Sequence, residues 1–187
     1  MDDSQLIEAC KKKDRDAQKK LYEMYAPKMM GVCLRYCKNN ETAWDLLHDG
    51  FFRVFTHIGS YSGKGSFEGW MRRVFVNLAI ENYRREQQKN RITIDIEQIE
   101  SDAFVLSDDD SYDIGDITHE ELLDMIRQLP KSYRTIFNLF VFEDMSHKEI
   151  GKMLGINEST SRSQYSRARA ILRKKINAIL KNKQGKR

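Results

Sequence analysis

The chain has 187 residues, of which 40% are hydrophobic and 32% are charged, and its formal net charge is +4. This length suits one ordinary domain or two small ones, and the charged fraction exceeds the usual quarter, so much of the surface must be charged. The 2 prolines and 10 glycines are too few for the many turns of a sandwich, barrel or propeller, which argues against an all-β fold.

Neither a membrane-spanning helix nor a secretory signal is predicted. The longest uncharged apolar stretch, Thr135–Phe142, is far shorter than the roughly 18–20 residues that a bilayer requires. The first residues, Met1 to Ser4, are acidic and lack the apolar region of a signal peptide. We therefore expect a cytoplasmic protein with no membrane insertion.

The three cysteines, an odd number, indicate reduced thiols in a chain without a signal peptide. Cys33 and Cys37 are four residues apart on a predicted helix, and with His48 they could form a metal or redox site. The alternative is that they are small core residues, the more common role of a free cysteine. We predict no metal and no cofactor.

Charge is divided into three blocks along the chain. Residues 1–91 carry 17 basic and 12 acidic side chains (+5), residues 92–126 carry 12 acidic and no basic ones (−12), and residues 127–187 carry 15 basic and 4 acidic ones (+11). An acidic segment between two basic ones predicts two modules with an anionic partner, most readily nucleic acid. The alternative is a solvated charged surface.

The middle of the acidic block, Asp95–Asp116, has little hydrophobic periodicity and is predicted to be a flexible linker. Its charge would keep it off DNA and could let it lie along a basic surface, or it could be a solubilising spacer. We place the first module at residues 1–91, the linker at 92–116 and the second module at 117–187.

Three helices are predicted in the first module. Apolar residues at steps of three and four indicate amphipathic helices over Leu21–Tyr36 and Ala43–Ile58. A third is expected to begin after an N-cap at Ser66 and to end near Gln88. Its predicted core stripe is Phe67, Met71, Val74 and Leu78, and another face carries Trp70, Arg73, Asn77, Glu81 and Arg84. The preceding loop lacks the spacing and the strand of a phosphate-binding loop.

In the second module, two capping-box patterns predict helix starts, at Thr118-x-x-Glu121 and at Ser146-x-x-Glu149. Leu129-Pro130 separates the first of these helices from one over Tyr133–Phe142.

A helix-turn-helix is predicted after the second capping box. Its first helix is short and ends at Leu154, Gly155 is expected to be a left-handed C-cap, and Asn157 is expected to cap a last helix that reaches about Lys181. Two helices joined by a tight turn that contains glycine are typical of this motif.

The last helix is predicted to have two different faces. The core face is Ser161, Tyr165, Ala168, Leu172, Ile176 and Ile179, and the opposite face is Ser159, Arg162, Ser163, Ser166 and Arg173 with Arg167 to one side. Arginine can fork onto guanine or phosphate and serine allows close approach, so this opposite face suits a major groove. The alternative is a surface helix with solvated arginines.

Three groups of motifs follow one another along the chain. The first is Asp45-Leu46-Leu47-His48-Asp49-Gly50-Phe51, and the second is Trp70-Met71, Asn77-Leu78-Ala79 and Tyr83-Arg84-Arg85. The third is Leu129-Pro130-Lys131-Ser132-Tyr133-Arg134 through Phe137, Glu149-Ile150-Gly151, Leu154-Gly155-Ile156, Thr160, Arg162-Ser163 and Arg167-Ala168-Arg169. They resemble regions 2.2, 2.3 to 2.4, and 4 of the extracytoplasmic-function, or group 4, sigma factors of bacterial RNA polymerase.

The resemblance implies an all-α protein of two small helical domains, a region 2 bundle and a region 4 helix-turn-helix, joined by the acidic linker. Asp45, His48 and Asp49 would contact the β′ clamp helices of core polymerase, and the β flap would be a second contact. Trp44 and His48 stand where the family usually has an acidic residue and glutamine.

The resemblance also implies two DNA contacts. The opened −10 strand would meet Tyr61, Lys64, Trp70, Arg73, Asn77 and Arg84, and the −35 element would meet Thr160, Arg162, Ser163, Ser166 and Arg167. Independently of the resemblance, bases of an opened strand stack on aromatic rings while basic side chains follow the phosphates. For Trp70 the alternative is core packing, and for Asn77 it is a solvated polar side chain.

The sequence raises three functional hypotheses. The leading hypothesis is an initiation factor that does no chemistry and gives core polymerase its promoter specificity, with promoter DNA as a partner and an anti-sigma factor as a partner that the resemblance does not require. The second is a stand-alone helix-turn-helix repressor or activator, which needs a dimerisation element that the sequence does not show. The third, an enzyme, lacks a metal-ligand spacing, a nucleophile motif and a nucleotide fingerprint.

Overall fold

The computed structural model describes residues 3–92 and 117–184, which contain eight α-helices, one 3-10 turn and no strand. The helices are α1 (Asp3–Lys11), α2 (Arg15–Tyr36), α3 (Asn40–His57), α4 (Phe67–Ile92), α5 (His119–Arg127), α6 (Lys131–Val141), α7 (His147–Leu154) and α8 (Glu158–Gln184). The predicted all-α fold is confirmed. The chain divides into two compact units, Met1–Arg85 and Glu86–Arg187, and nearly all of the predicted linker lies outside the described residues.

The first unit begins with a helix that the sequence pattern did not predict. Residues Leu6, Ile7 and Cys10 bury the apolar face of α1. The chain then turns through Lys13, whose φ of 63° is left-handed. Asp14 caps α2 because its side chain accepts a hydrogen bond from the Ala17 N–H at 2.8 Å.

Helix α4 begins at Phe67 because Ser66 caps it, as predicted: the Ser66 hydroxyl accepts the Gly69 N–H at 3.1 Å. The predicted core stripe is wrong at one position. Phe75 is fully buried, whereas Val74 is only half-buried at the edge of the stripe. Phe75 is buried because it packs against α3, where its ring lies 5.5 Å from the ring of Phe51. The helix also runs four residues beyond the predicted end, to Ile92.

Both capping boxes predicted in the second unit are present, at the starts of α5 and α7. Helices α5, α6 and α8 enclose one hydrophobic core. Its buried members are Met125, Ile126, Leu129, Tyr133, Ala168 and Leu172.

Helices α7 and α8 form the predicted helix-turn-helix. Gly155 ends α7 with φ 69° and ψ 36°, the left-handed C-cap that glycine adopts without strain. Gly151 is needed for a different reason: a Cβ there would lie 2.8 Å from the carbonyl oxygen of Ile156. The turn is therefore held tightly against α7, and α8 begins directly after Asn157.

Candidate functional site

One face of α3 carries the side chains predicted to contact polymerase. Asp45, His48 and Asp49 are all exposed on this helix. Two large apolar side chains lie beside them, Trp44 at 49% exposure and Phe52 at 75%. The Trp44 and His48 rings are 5.9 Å apart, so they cover neighbouring parts of one surface. We call these five residues the α3 exposed face.

The α3 exposed face combines acidic and apolar groups. Among the described residues 3–92 and 117–184, neither Asp45 nor Asp49 forms an ion pair, so both carboxylates can meet basic groups of a partner. Sequence reasoning missed Phe52, because it adjoins Phe51, which is buried in the core. Its position three residues after Asp49 and four after His48 was the available signal.

The loop before α4 is held closed at its base. The Tyr61 hydroxyl donates to the Gly65 carbonyl at 2.8 Å, and its ring lies 5.1 Å from Phe67 and 5.8 Å from Trp70. In the structure the Tyr61 hydroxyl is bonded within the loop, and the predicted contact of its ring with DNA stays a prediction. Lys64 is exposed at the loop tip.

Trp70 is half-buried and lies against the nearly buried ring of Phe67, with centroids 5.5 Å apart and planes 22° apart. Part of its surface is thus packed, as the alternative interpretation expected, and part remains open. The aromatic cluster of Tyr61, Phe67 and Trp70 is continuous with Tyr25 of α2, whose ring is 5.7 Å from that of Phe67.

Polar side chains extend along α4 from this cluster. Arg73, Asn77 and Arg84 are exposed, at positions that share one side of the helix, and we call them the α4 polar face. Glu81 lies on the same side, and both of its carboxylate oxygens accept from Arg53 of α3 at 2.8 Å. This pairing offsets a negative charge that would otherwise repel phosphate.

The five residues predicted to read the −35 element lie on the first three turns of α8. We call them the α8 polar face: Thr160, Arg162, Ser163, Ser166 and Arg167. Arg162 is exposed and is held by Glu158, whose Oε1 accepts from its Nη2 at 2.6 Å and its Nε at 3.1 Å. Sequence reasoning did not single out Glu158, although a carboxylate four residues before an arginine is a known helix pairing.

The remaining members of the α8 polar face differ in their exposure and in their hydrogen bonds. Thr160 and Ser166 are half-buried. Ser163 is exposed, and its hydroxyl donates to the Thr160 carbonyl at 3.0 Å. Arg167 is exposed but reaches back to α6, where its Nη1 lies 3.4 Å from the Tyr133 hydroxyl.

The surroundings of Cys33 do not favour the metal or redox site that its spacing from Cys37 suggested. Cys33 is fully buried, and burial raises the pKa of its thiol far above the usual range, which opposes the thiolate that a metal needs. Burial likewise raises the pKa of Cys10 to about 11. In residues 3–92 and 117–184 no three metal-binding side chains are close enough to hold an ion. None of the described helices has the length and hydropathy that crossing a bilayer requires.

Two family descriptions match the chain, one within each predicted module. Residues 21–89 match sigma-70 region 2, and residues 119–172 match sigma-70 region 4. The first match contains the α3 exposed face and the α4 polar face, and the second contains α7 and the α8 polar face.

Relatives of known function extend the similarity over nearly the full length. The ECF RNA polymerase sigma factor SigW of Bacillus subtilis (strain 168) is 28% identical over 181 residues, covering 91% of this chain and 94% of that protein. The ECF RNA polymerase sigma-E factor of Haemophilus influenzae is 26% identical over 193 residues, covering 95% and 97%.

Among solved structures, the sigma factor RpoE of Bartonella quintana, crystallised with the anti-sigma factor NepR, has a TM-score of 0.48 and 18% identity, over 85% of this chain and 96% of that one. The relatives are sigma factors, which are not enzymes. From the two region matches and the full-length relatives, the chain belongs to the sigma-70 family, in its extracytoplasmic-function group of RNA polymerase initiation factors.

Proposed function

We propose how the three surfaces of this initiation factor divide its work. The α3 exposed face binds core polymerase at the β′ clamp helices, the loop and the α4 polar face take the opened −10 strand, and the α8 polar face reads the −35 element. The β flap is the proposed second contact of the polymerase. The proposal includes a cytoplasmic location, because polymerase and promoter lie there.

The observation that carries the polymerase contact is the composition of the α3 exposed face. Two carboxylates without an ion pair among the described residues are flanked by Trp44 and by Phe52, which is 75% exposed. Large exposed aromatic side chains are typical of the centre of a protein interface, and polar and charged groups are typical of its rim. The carboxylates would fix orientation and partner choice, and the aromatic rings would contribute most of the affinity.

The −10 contact is supported by the order of side chains along α4, in which an aromatic cluster is followed by polar and basic residues. In the aromatic cluster of Tyr61, Phe67 and Trp70, the indole of Trp70 remains partly exposed, and the α4 polar face continues from it with two arginines and Asn77. Base stacking on an aromatic side chain contributes about 1–3 kcal/mol, and arginine follows phosphate without regard to sequence.

A charge reversal tests the polymerase contact. The variant Asp45→Lys/Asp49→Lys places four units of added positive charge against a basic partner, and we expect it to lose co-purification with core polymerase while keeping its fold. The matched control is Asp16→Lys/Glu23→Lys on α2, which makes the same charge change at two exposed positions outside the α3 exposed face. Wild-type co-purification of the α3 variant, or equal loss in both variants, would contradict the assignment.

The stand-alone repressor receives no support from the comparisons, since both regions of the chain match sigma-70 families. One binding measurement separates the two functions. We expect the purified chain to bind its promoter specifically only when core polymerase is present, because the −10 contact needs an opened strand. Specific operator binding by a dimer of the chain alone would favour the repressor.

A further inference from the structure

A buried histidine joins the three helices of the helix-turn-helix region. His147 is the first residue of α7 and is only 8% exposed. Its Nδ1 lies 2.9 Å from the Oγ of Ser161, which is fully buried in α8. Its ring stacks on Phe140 of α6, with centroids 4.5 Å apart and planes 13° apart. One imidazole therefore contacts α6 and α8 from the start of α7.

The partner of this histidine is next to the α8 polar face. Ser161 immediately precedes Arg162, which is exposed. Tyr165, one turn further along α8, completes the cluster, because its ring lies 4.5 Å from Phe140 and 5.5 Å from His147. The buried side of the first two turns of α8 is thus set by one hydrogen bond and a group of stacked rings.

The hydrogen bond between His147 and Ser161 can fix the rotation of α8, whereas the ring contacts cannot. Apolar packing is non-directional and tolerates rearrangement, whereas a buried hydrogen bond has a narrow range of good distances and angles. A helix rotation of about 10° moves an atom at a radius of about 6 Å by about 1 Å, which is enough to break such a bond. The same rotation would misplace a guanidinium at a base edge.

We propose that His147 is a positioning residue for promoter reading: its hydrogen bond to Ser161 fixes the rotation of the first turns of α8 and thereby aims the α8 polar face at the DNA. This inference rests on the proposed function of α8 as the reader of the −35 element. Burial and the nearby positive charge of Arg162 lower the pKa of His147, which favours the neutral ring in this buried position.

The test compares the full chain bound to core polymerase in three variants. Ser161→Ala removes one partner and leaves a buried imidazole nitrogen unpaired. His147→Phe/Ser161→Ala removes both polar groups and keeps a ring to stack on Phe140. Arg162→Ala is the reference for a direct reading residue. Binding sites are selected from a randomised upstream element, and thermal unfolding is followed for each free protein.

The two readouts separate positioning from stability. We expect Ser161→Ala to unfold at a lower temperature and to lower the preference for the best element over its single-base variants at least about fivefold, at several positions. The double variant should recover thermal stability, since neither buried polar group is left unpaired, yet its preference should stay low. Arg162→Ala should relax one position only.

Three results would overturn the inference. If preference recovers together with stability in the double variant, the pair only stabilises the fold. If Ser161→Ala relaxes no position while Arg162→Ala relaxes one, the reading function stands and His147 does not position it. If neither Arg162→Ala nor Ser161→Ala alters preference, the inference falls and base reading by Arg162 falls with it, which leaves Ser163, Ser166 and Arg167 as the candidates for the proposed function of this surface. Should Ser161→Ala not fold, the double variant carries the test.

Discussion

The pairing of Arg162 with Glu158 sets how a single residue of α8 can meet DNA. An exposed pair at this spacing contributes about 0.3–0.5 kcal/mol, whereas a forked contact to guanine contributes about 1–3 kcal/mol of base discrimination. Arg162 is therefore free to exchange its carboxylate for a base edge, and in the absence of DNA Glu158 keeps it extended along the helix.

We predict that Arg162→Ala costs about 1–3 kcal/mol of binding at the upstream element and relaxes preference at one base pair. Lys174→Ala is the control, because this exposed lysine lies three turns further along α8. Its loss should lower the salt dependence by about one phosphate contact and leave preference unchanged. Site selection at two salt concentrations measures both. Unchanged preference in Arg162→Ala would leave Ser163, Ser166 and Arg167 as the candidates.

The −10 residues are predicted to act after strand opening. Asn77→Ala and Trp70→Ala should impair open-complex formation more than closed-complex binding, because their proposed partners are accessible only in the separated strand. Asn77 is the cleaner probe, since its side chain is exposed, while Trp70 also packs on Phe67. Permanganate reactivity of the promoter measures opening. Unchanged reactivity in both variants would assign these residues to structure alone.

The individual residues show what sequence reasoning could and could not supply for the site. Asp45, Asp49, Arg73 and Asn77 lie exposed where their helical spacing predicted. The hydrogen-bond partner of a polar side chain could not be predicted, because it depends on how the chain folds around that side chain. The Tyr61 hydroxyl, for example, bonds the loop that carries it.

The packing of α3 on α4 depends on an unusually close approach between Gly50 and the ring of Phe75. A Cβ built on Gly50 would lie 2.1 Å from Cε1 of Phe75, whose ring is fully buried and cannot swing into solvent. Gly50 stands between Asp49 and Phe51, so the packing of α3 on Phe75 also places the α3 exposed face.

We predict that Gly50→Ala destabilises the first unit by about 1–3 kcal/mol or more, as overpacking of a core does, and weakens polymerase binding with it. Gly31→Ala on α2 is the control, because nothing lies within 4 Å of its added Cβ. Alanine has the higher helix propensity, so this control should stabilise the protein by up to about 1 kcal/mol. Denaturant unfolding measures both, and a neutral Gly50→Ala would show that α3 and α4 adjust freely.

Helix boundaries followed the sequence where short-range chemistry sets them. The capping boxes at Thr118 and Ser146 and the C-cap at Gly155 were predicted because each needs only neighbouring residues. Helix α1 was not predicted. A helix of nine residues is too short to be stable alone, so α1 forms only because its apolar face packs against the rest of the unit. The burial of His147 was also unpredictable, because its partner Ser161 is 14 residues away in sequence.

At the scale of the whole molecule, the order of charges predicts how the free chain meets DNA. The acidic block of −12 lies in sequence between blocks of +5 and +11. Basic side chains attract any duplex through its phosphates, and a tethered acidic segment of like charge to DNA opposes that attraction. This repulsion favours a chain whose specificity depends on polymerase, because a free chain bound to non-specific DNA is not available to bind core polymerase.

We predict that neutralising three adjacent acidic residues, in Asp108→Asn/Asp109→Asn/Asp110→Asn, raises the affinity of the free chain for a non-specific duplex about two- to fivefold at 50 mM salt. At 300 mM salt the increase should nearly vanish, because screening shortens the range of the repulsion. The control Asp16→Asn/Glu23→Gln/Glu41→Gln makes the same change in net charge at exposed positions of the first unit. Fluorescence anisotropy of a labelled duplex measures both proteins. An equal increase in the two variants would mean that net charge alone governs non-specific binding, and that the position of the acidic block between the basic ones has no separate effect.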